Sequence, residues 1–247
     1  MRRMGESVHP NSMAQQKKKA WLTRALSAAT RAGFERAYEQ VRVDEQKYMR
    51  HLQRAHRLPL RSWEDMFLLG PEIADPIAAS TIRSSSRLAA LEGMGFGFSG
   101  FLLAVPDMGI LAAITLRMLQ KLNLLYGFQY ATDDEKTALW IAAASAAGVD
   151  LGRDFLEKQA MERLVPRIVD RIAVKVGAEV AEKWVGRVVP IVSAGAAATI
   201  NYYFVRAWGR RAQRHFLARH LEAVGRPSVV RPIAPLGARL LPSGSVN

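Results

Sequence analysis

Residues 93–109 read GMGFGFSGFLLAVPDMG, five glycines set among aromatic and aliphatic side chains and closed by Pro106 and Asp107. Proline suits the first turn of a helix, where its missing N–H is not needed, and a carboxylate beside it faces the positive end of the helix dipole. From Pro106 onward Ile110, Ile114, Met118, Leu122 and Leu125 recur at helical spacing as far as Tyr126, and Gly127 is placed to cap the C-terminus. The stretch therefore reads as a break between two apolar helices, with Asp107 starting the second and the glycines permitting close packing or an irregular entry. Gly95, Gly97 and Gly100 also match G-x-G-x-x-G, but that motif binds dinucleotides only between a strand and a helix. Here a helix-like segment, SSSRLAALEGM, precedes it.

The same reading extends along the chain. Leu, Ala, Arg, Glu, Met and Gln dominate, and alternation of β-branched residues is nearly absent. Trp21, Leu22, Ala25, Leu26 and Ala29 mark an amphipathic helix interrupted at Gly33. A second helix is expected from Phe34 to Arg57, stopped by Leu58-Pro59, and a short one near Trp63–Leu69. Asp75-Pro76 reads as the start of the helix that runs toward Glu92. Thr132 and Glu135 have the spacing of a capping box for a helix reaching Gly148. One or two helices punctuated by Pro166 fill 150–185. Residues 188–205 carry no charge for 18 residues, and a basic amphipathic helix follows from Arg206. The expected fold is all-α: one multi-helix domain over 17–222 with packed Gly/Ala-rich apolar helices. A flexible basic segment, 1–16, precedes it, and a disordered Pro/Gly-rich tail, 223–247, follows.

At 247 residues the chain is long enough to bury a substantial core, and it has no cysteine, which excludes disulfides, thiolate metal sites and cysteine nucleophiles. The net charge of +13 is unevenly spread: 14 Lys and Arg against 5 Asp and Glu in residues 1–63, 8 against 1 in 206–247, and 13 against 16 between them. Basic ends around a near-neutral centre suit an anionic partner, either a phospholipid surface or nucleic acid, besides their plain effect on solubility. Lys17, Lys18, Lys19, Arg206, Arg210, Arg211 and Arg214 are the candidate anion-binding residues. Aromatics do not interleave with these clusters as in a base-stacking platform, which leaves nucleic acid the less supported partner. The N-terminal residues have no apolar run behind their positive charges and do not read as a signal peptide.

Candidate chemistry is sparse. Asp107 is the single acid between Glu92 and Asp133, so it is either a helix-start residue or a catalytic carboxylate held in apolar surroundings. No nucleophile or second acid stands at a telling distance from it. His51/His56 and His215/His220 are each spaced by five, which turns a helix about 500° and points the pair apart. They are expected on the surface of basic helices, with no metal and no cofactor. Arg163, Arg167, Arg171 and Lys175 recur every four residues as a charged ridge. The 93–106 run is too short to cross a bilayer, and 188–205, with Pro190 and Asn201, reads either as a buried helix or as a reversible membrane contact.

Taken in order, Pro106-Asp107, Leu116-Arg117-Met118-Leu119-Gln120-Lys121, Tyr126-Gly127-Phe128, Asp133-Asp134-Glu135, Val189-Pro190, Gly195, Asn201-Tyr202, Arg206 and Gly209-Arg210-Arg211-Ala212 resemble the EcsC family of bacterial proteins over residues 20–222. That family commonly separates the proline from its aspartate by one small residue, whereas here they are adjacent. The resemblance implies a mostly helical protein in a membrane-proximal setting, since the family takes its name from a gene cluster that also encodes an ABC transporter. It implies no reaction. The expected function is thus a non-enzymatic helical protein, cytoplasmic and associated peripherally with the inner face of the membrane or with a membrane complex. An enzyme using Asp107 in a pocket between helices, or non-specific nucleic-acid binding through the basic ends, are the alternatives.

Overall fold

The computed structural model describes residues 20–21, 23–34, 41–96, 104–152, 161–185 and 194–225. Within them the side chains of 93–96, 104–108, 161–163, 179–185 and 194–197 are left undescribed. The described residues are helices and short connections, without a strand. The helices are α1 (residues 23–34), α2 (Glu45–His56), α3 (Asp65–Leu69), α4 (Pro71–Phe96), α5 (Ala104–Leu125), α6 (Asp133–Ala147), α7 (Met161–Val185) and α8 (Ala194–Ala223). The all-α expectation therefore holds as one packed domain. The expected terminal segments, 1–16 and most of 223–247, lie outside the described residues.

Several boundaries differ from the sequence reading, each for a local reason. α1 continues through Gly33 because Phe34 fills a slot between Trp140 and Trp208, with ring centroids 6.0 and 5.9 Å away. The second helix starts not at Phe34 but at Glu45, where the Asp44 carboxylate accepts from Lys47 N at 2.8 Å as an N-cap. The extended residues before it are held by the buried Gln120 side chain, which accepts from Val43 N and donates to Val41 O, both at 2.9 Å. α4 starts at Pro71, after Gly70, and places Pro76 one turn inside. So early in a helix the ring costs a single backbone bond, and Asp75 is freed for another task. α5 begins at Ala104, two residues before Pro106, and leaves Asp107 in the first turn. α7 runs unbroken through Pro166. Residues 194–205 of the apolar run and the basic segment after it share one 30-residue helix, α8. The Thr132–Glu135 capping box and the Gly148 cap form as expected.

The centre of the core is α5, whose Leu119, Leu122, Leu124 and Leu125 have no exposed surface. α4 packs most extensively against α8 and then α5, while α6 rests on α7 and α8. A Cβ on Gly209 of α8 would lie 2.8 Å from Ile82 of α4 and 2.9 Å from Met118 Sδ of α5, so these three helices approach as closely as a glycine allows. Near the start of α4, Asp75 meets Gln213 at 3.5 Å and receives the Tyr126 hydroxyl from the end of α5. His220, near the end of α8, lies 3.1 Å from Tyr126 O. α4 is therefore antiparallel to both α5 and α8. One end of the bundle gathers the start of α4 with the ends of α5 and α8. The opposite end gathers the end of α4 with the starts of α5 and α8.

Candidate functional site

The first of these ends is closed by a network of polar and aromatic groups. The Tyr126 hydroxyl donates to Asp75 Oδ1, and Gln213 Nε2 reaches both that oxygen and Asp75 O at 3.5 Å. Burial first, and then the carboxylate beside it, push the Tyr126 hydroxyl well above the ordinary phenol range. The turn after α5 is held by Asn123 Nδ2, which donates to Phe128 O at 2.8 Å and Gln129 O at 3.0 Å. Gly127 sits there at φ +88, where a Cβ would come within 2.7 Å of the Phe67 ring. His220 is wholly buried, stacked on Phe67 at 5.2 Å, and the Arg219 guanidinium lies 4.1 Å from the centre of the Phe128 ring.

A cleft opens between α2 and α4, with Lys121 of α5 at its back. Its free volume is about 160 Å³. Ser80, Thr81, Ser84 and Ser85 line one wall, one turn apart on a single face of α4. Tyr48, His51 and His56 of α2 form the other, and Leu52 and Ile77 supply buried apolar surface between them. The Tyr48 ring stacks between Trp63 at 5.9 Å and His51 at 6.4 Å, and Lys121 Nζ stands 5.4 Å from its centre. Burial, and secondarily the charge of Arg117, lower the proton affinity of Lys121. Among the described residues no carboxylate lines the cleft.

The residues singled out in the sequence fall into different settings. Asp107 lies in the first turn of α5, but its side chain is outside the described residues, as are Lys17, Lys18 and Lys19. On α8, Arg206 donates to the Tyr202 hydroxyl and packs over its ring, 5.6 Å from the centroid. Arg210 is exposed and Arg214 is half-buried. Arg211 turns inward, and its Nη1 donates to Ala146 O at 3.0 Å, satisfying a carbonyl at the C-terminal end of α6. Of the α7 ridge, Arg167, Arg171 and Lys175 are exposed. The α8 histidines depart from their expected surface placement, whereas those of α2 keep it. His220 is fully buried, and His215 is held to about 4 by burial and by Arg219. His51 and His56 are exposed, yet their rings meet at 6.4 Å because His56 ends its helix. Among the described residues no group of three or more His, Asp or Glu is arranged to hold a metal ion.

The model of the EcsC protein family matches residues 9–221. The chain belongs to the EcsC family. It is 34% identical over 80 residues to Protein EcsC of Bacillus subtilis (strain 168), a stretch covering 32% of this chain and 34% of that one. The match thus spans about a third of the length of this curated relative. No solved structure matches the chain. Residues that carried the EcsC resemblance now have distinct physical roles. Tyr126-Gly127-Phe128 forms the turn of the closed end, Gly209 sets the seam of α4, α5 and α8, Gln120 grips the backbone before α2, and Lys121 reaches the cleft. The sequence reading missed Asp75, His220 and the cleft. Asp75-Pro76 imitates a helix start, and the serines at 80, 84 and 85 show their shared face only once α2 is seen to pack beside them.

Proposed function

We propose that this EcsC protein docks peripherally on an anionic bilayer surface by the end of the bundle opposite the Tyr126 network. The observation that carries this reading is the antiparallel pairing of α4 with α5 and α8. It brings the end of α4 and the start of α5, which belong to the 93–106 stretch, and the start of α8, which belongs to 188–205, to one end of the bundle. Near that end Leu88 and Leu91 of α4 and Tyr203 of α8 are 48%, 59% and 62% exposed. Arg83 and Arg87 of α4 and Arg210 of α8 are exposed behind them. Arg83 lies about 12 Å along α4 from Leu91. Apolar groups ahead of a band of arginines suit the boundary between acyl chains and phosphate headgroups, where each basic residue contributes about 1 kcal/mol. No described helix is long and apolar enough to cross a membrane, so this contact is one of surface and shallow insertion. A membrane protein of the transporter kind would share such a surface.

Co-sedimentation with vesicles tests the reading. Binding is expected with phosphatidylglycerol and not with phosphatidylcholine alone. Salt at about 1 M shortens the Debye length to about 3 Å and should release the electrostatic part. Replacing Leu88, Leu91 and Tyr203 by Ser should remove the salt-resistant part. If the protein ignores anionic vesicles at low salt and retains duplex DNA of any sequence, the membrane reading fails in favour of nucleic acid.

A further inference from the structure

We propose that the cleft between α2 and α4 binds a phosphate monoester, with Lys121 as the charge partner and the hydroxyls of Ser80, Thr81 and Ser85 and the α2 imidazoles as hydrogen-bond donors. This does not depend on the bilayer contact, which lies toward the far end of α4. Three observations converge on the ligand. First, the cleft is lined by one ammonium, two imidazoles and five hydroxyls, with no acid among the described residues to neutralise them. Second, Lys121 has no carboxylate partner among the described residues, and its charge is held against the Tyr48 ring. A half-buried cation in that state gains from an anion more than a solvated one does. Third, the Tyr48 hydroxyl is buried with no hydrogen bond of good geometry, although Thr81 lies close enough to influence it. The residue is 7% exposed and its ring is fixed by Trp63, so an oxygen of a ligand in the cleft completes the hydroxyl once the Thr81 side chain beside it turns aside.

The donor geometry favours phosphate over carboxylate. A planar carboxylate is best met by the paired N–H groups of arginine, and among the described residues no arginine lines the cleft. Lysine acts as a point charge, and donors arriving from two opposed walls suit a tetrahedral group. Ser84 gives its proton to Ser80 O at 3.0 Å and so presents a lone pair. That acceptor, beside Ser80 and Ser85, suits the hydroxyl-bearing carrier of the phosphate. A free sugar or glycerol phosphate and a lipid headgroup share this chemistry.

The test uses the full chain. Calorimetric titration with glycerol 3-phosphate, against sulfate and acetate at matched ionic strength, should give saturable binding to the phosphate ester alone. Lys121→Met keeps the length of the stem and removes the charge, and it should weaken binding about tenfold or more. Ser85→Ala and His51→Gln should each weaken it by less. Should Lys121→Met fail to fold, Tyr48→Phe, which keeps the ring and removes the orphan hydroxyl, takes its place with an expected loss of several-fold. Vesicles containing phosphatidic acid separate the two sources. Competition by glycerol 3-phosphate for vesicle binding assigns the site to a lipid headgroup, and vesicle binding unaffected by Lys121→Met assigns it to a soluble ester. No binding of the ester by the wild type, or equal binding of sulfate and ester by wild type and Lys121→Met alike, overturns the proposal.

Discussion

The two ends of the bundle are built on opposite principles. At the closed end, Asp75, Tyr126, Gln213 and His220 come from three helices and meet through hydrogen bonds, while Phe67, Phe128 and Arg219 cover them. At the far end α4 finishes with Leu88 and Leu91 turned to solvent. A part-buried hydrogen-bonded network favours one arrangement of its helices, because any other separates Tyr126 from Asp75 and His220 from Tyr126 O. Exposed apolar residues near a helix end fix nothing and are an expense in water unless something covers them. On the proposed docking, stability and partner contact are separated along the bundle axis, and mutations at the two ends should have different readouts.

The largest expected effect is at the closed end. Gly127→Val places a β-branched residue at φ +88 and drives its Cβ into the Phe67 ring. Strain and overpacking together should cost about 3–5 kcal/mol, measured by urea unfolding. Leu91→Ser at the far end should change stability by no more than about 0.5 kcal/mol. Equal costs at the two ends would erase the comparison.

Acid should also act first near the closed end. His215, one turn before Arg219, is depressed to about 4, chiefly by burial and then by that guanidinium. In the unfolded chain its value is about 6.5. Between those values the unfolded state binds the proton and the folded state does not. Stability is therefore complete above about pH 6.5 and falls as pH drops toward 4. The loss, discounted for the part of the ring still in water, is about 2 kcal/mol. His215→Leu should flatten that part of the pH–stability curve and leave the carboxylate titration beneath it unchanged.

Tyr126→Phe probes the network with a smaller change. It removes the donor to Asp75 and leaves the ring in place. It should cost about 1–2 kcal/mol of stability, seen as a lower Tm. Vesicle binding per folded molecule should not change, since no part of the far end is touched.

Helical periodicity made the fold legible: the α5 ridge from Ile110 to Leu125, the Thr132–Glu135 box and the Gly127 and Gly148 caps all stand where the residues place them. These are local signals, set by neighbours three or four residues away. Tertiary contacts settled the rest. Phe34 carries α1 past Gly33 because two tryptophans, over 100 residues along the chain, receive it. Asp75 was misread because Asp-Pro is a local start signal, while its partners Tyr126 and Gln213 are distant in sequence. The cleft was invisible for the same reason: hydroxyls on α4 mean little until Lys121 and α2 face them.

The smallest expected effect separates two neighbouring arginines that sequence alone treats as one cluster. Arg210 points to solvent, whereas Arg211 donates to Ala146 O at the end of α6. A charged donor on an otherwise orphan helix carbonyl is worth about 1 kcal/mol. Arg211→Gln should thus lower stability by about that amount, with little effect on the vesicle affinity of the folded protein. Arg210→Gln should do the reverse: stability unchanged within about 0.5 kcal/mol, and vesicle affinity lower by about the 1 kcal/mol that one basic residue contributes near an anionic surface, roughly fivefold. The two variants differ by one position and have the same change in net charge, so any long-range effect of charge is common to both. A fivefold loss of vesicle binding in both would mean that bulk charge drives association. A loss in Arg211→Gln alone would place the contact on the wrong face of α8.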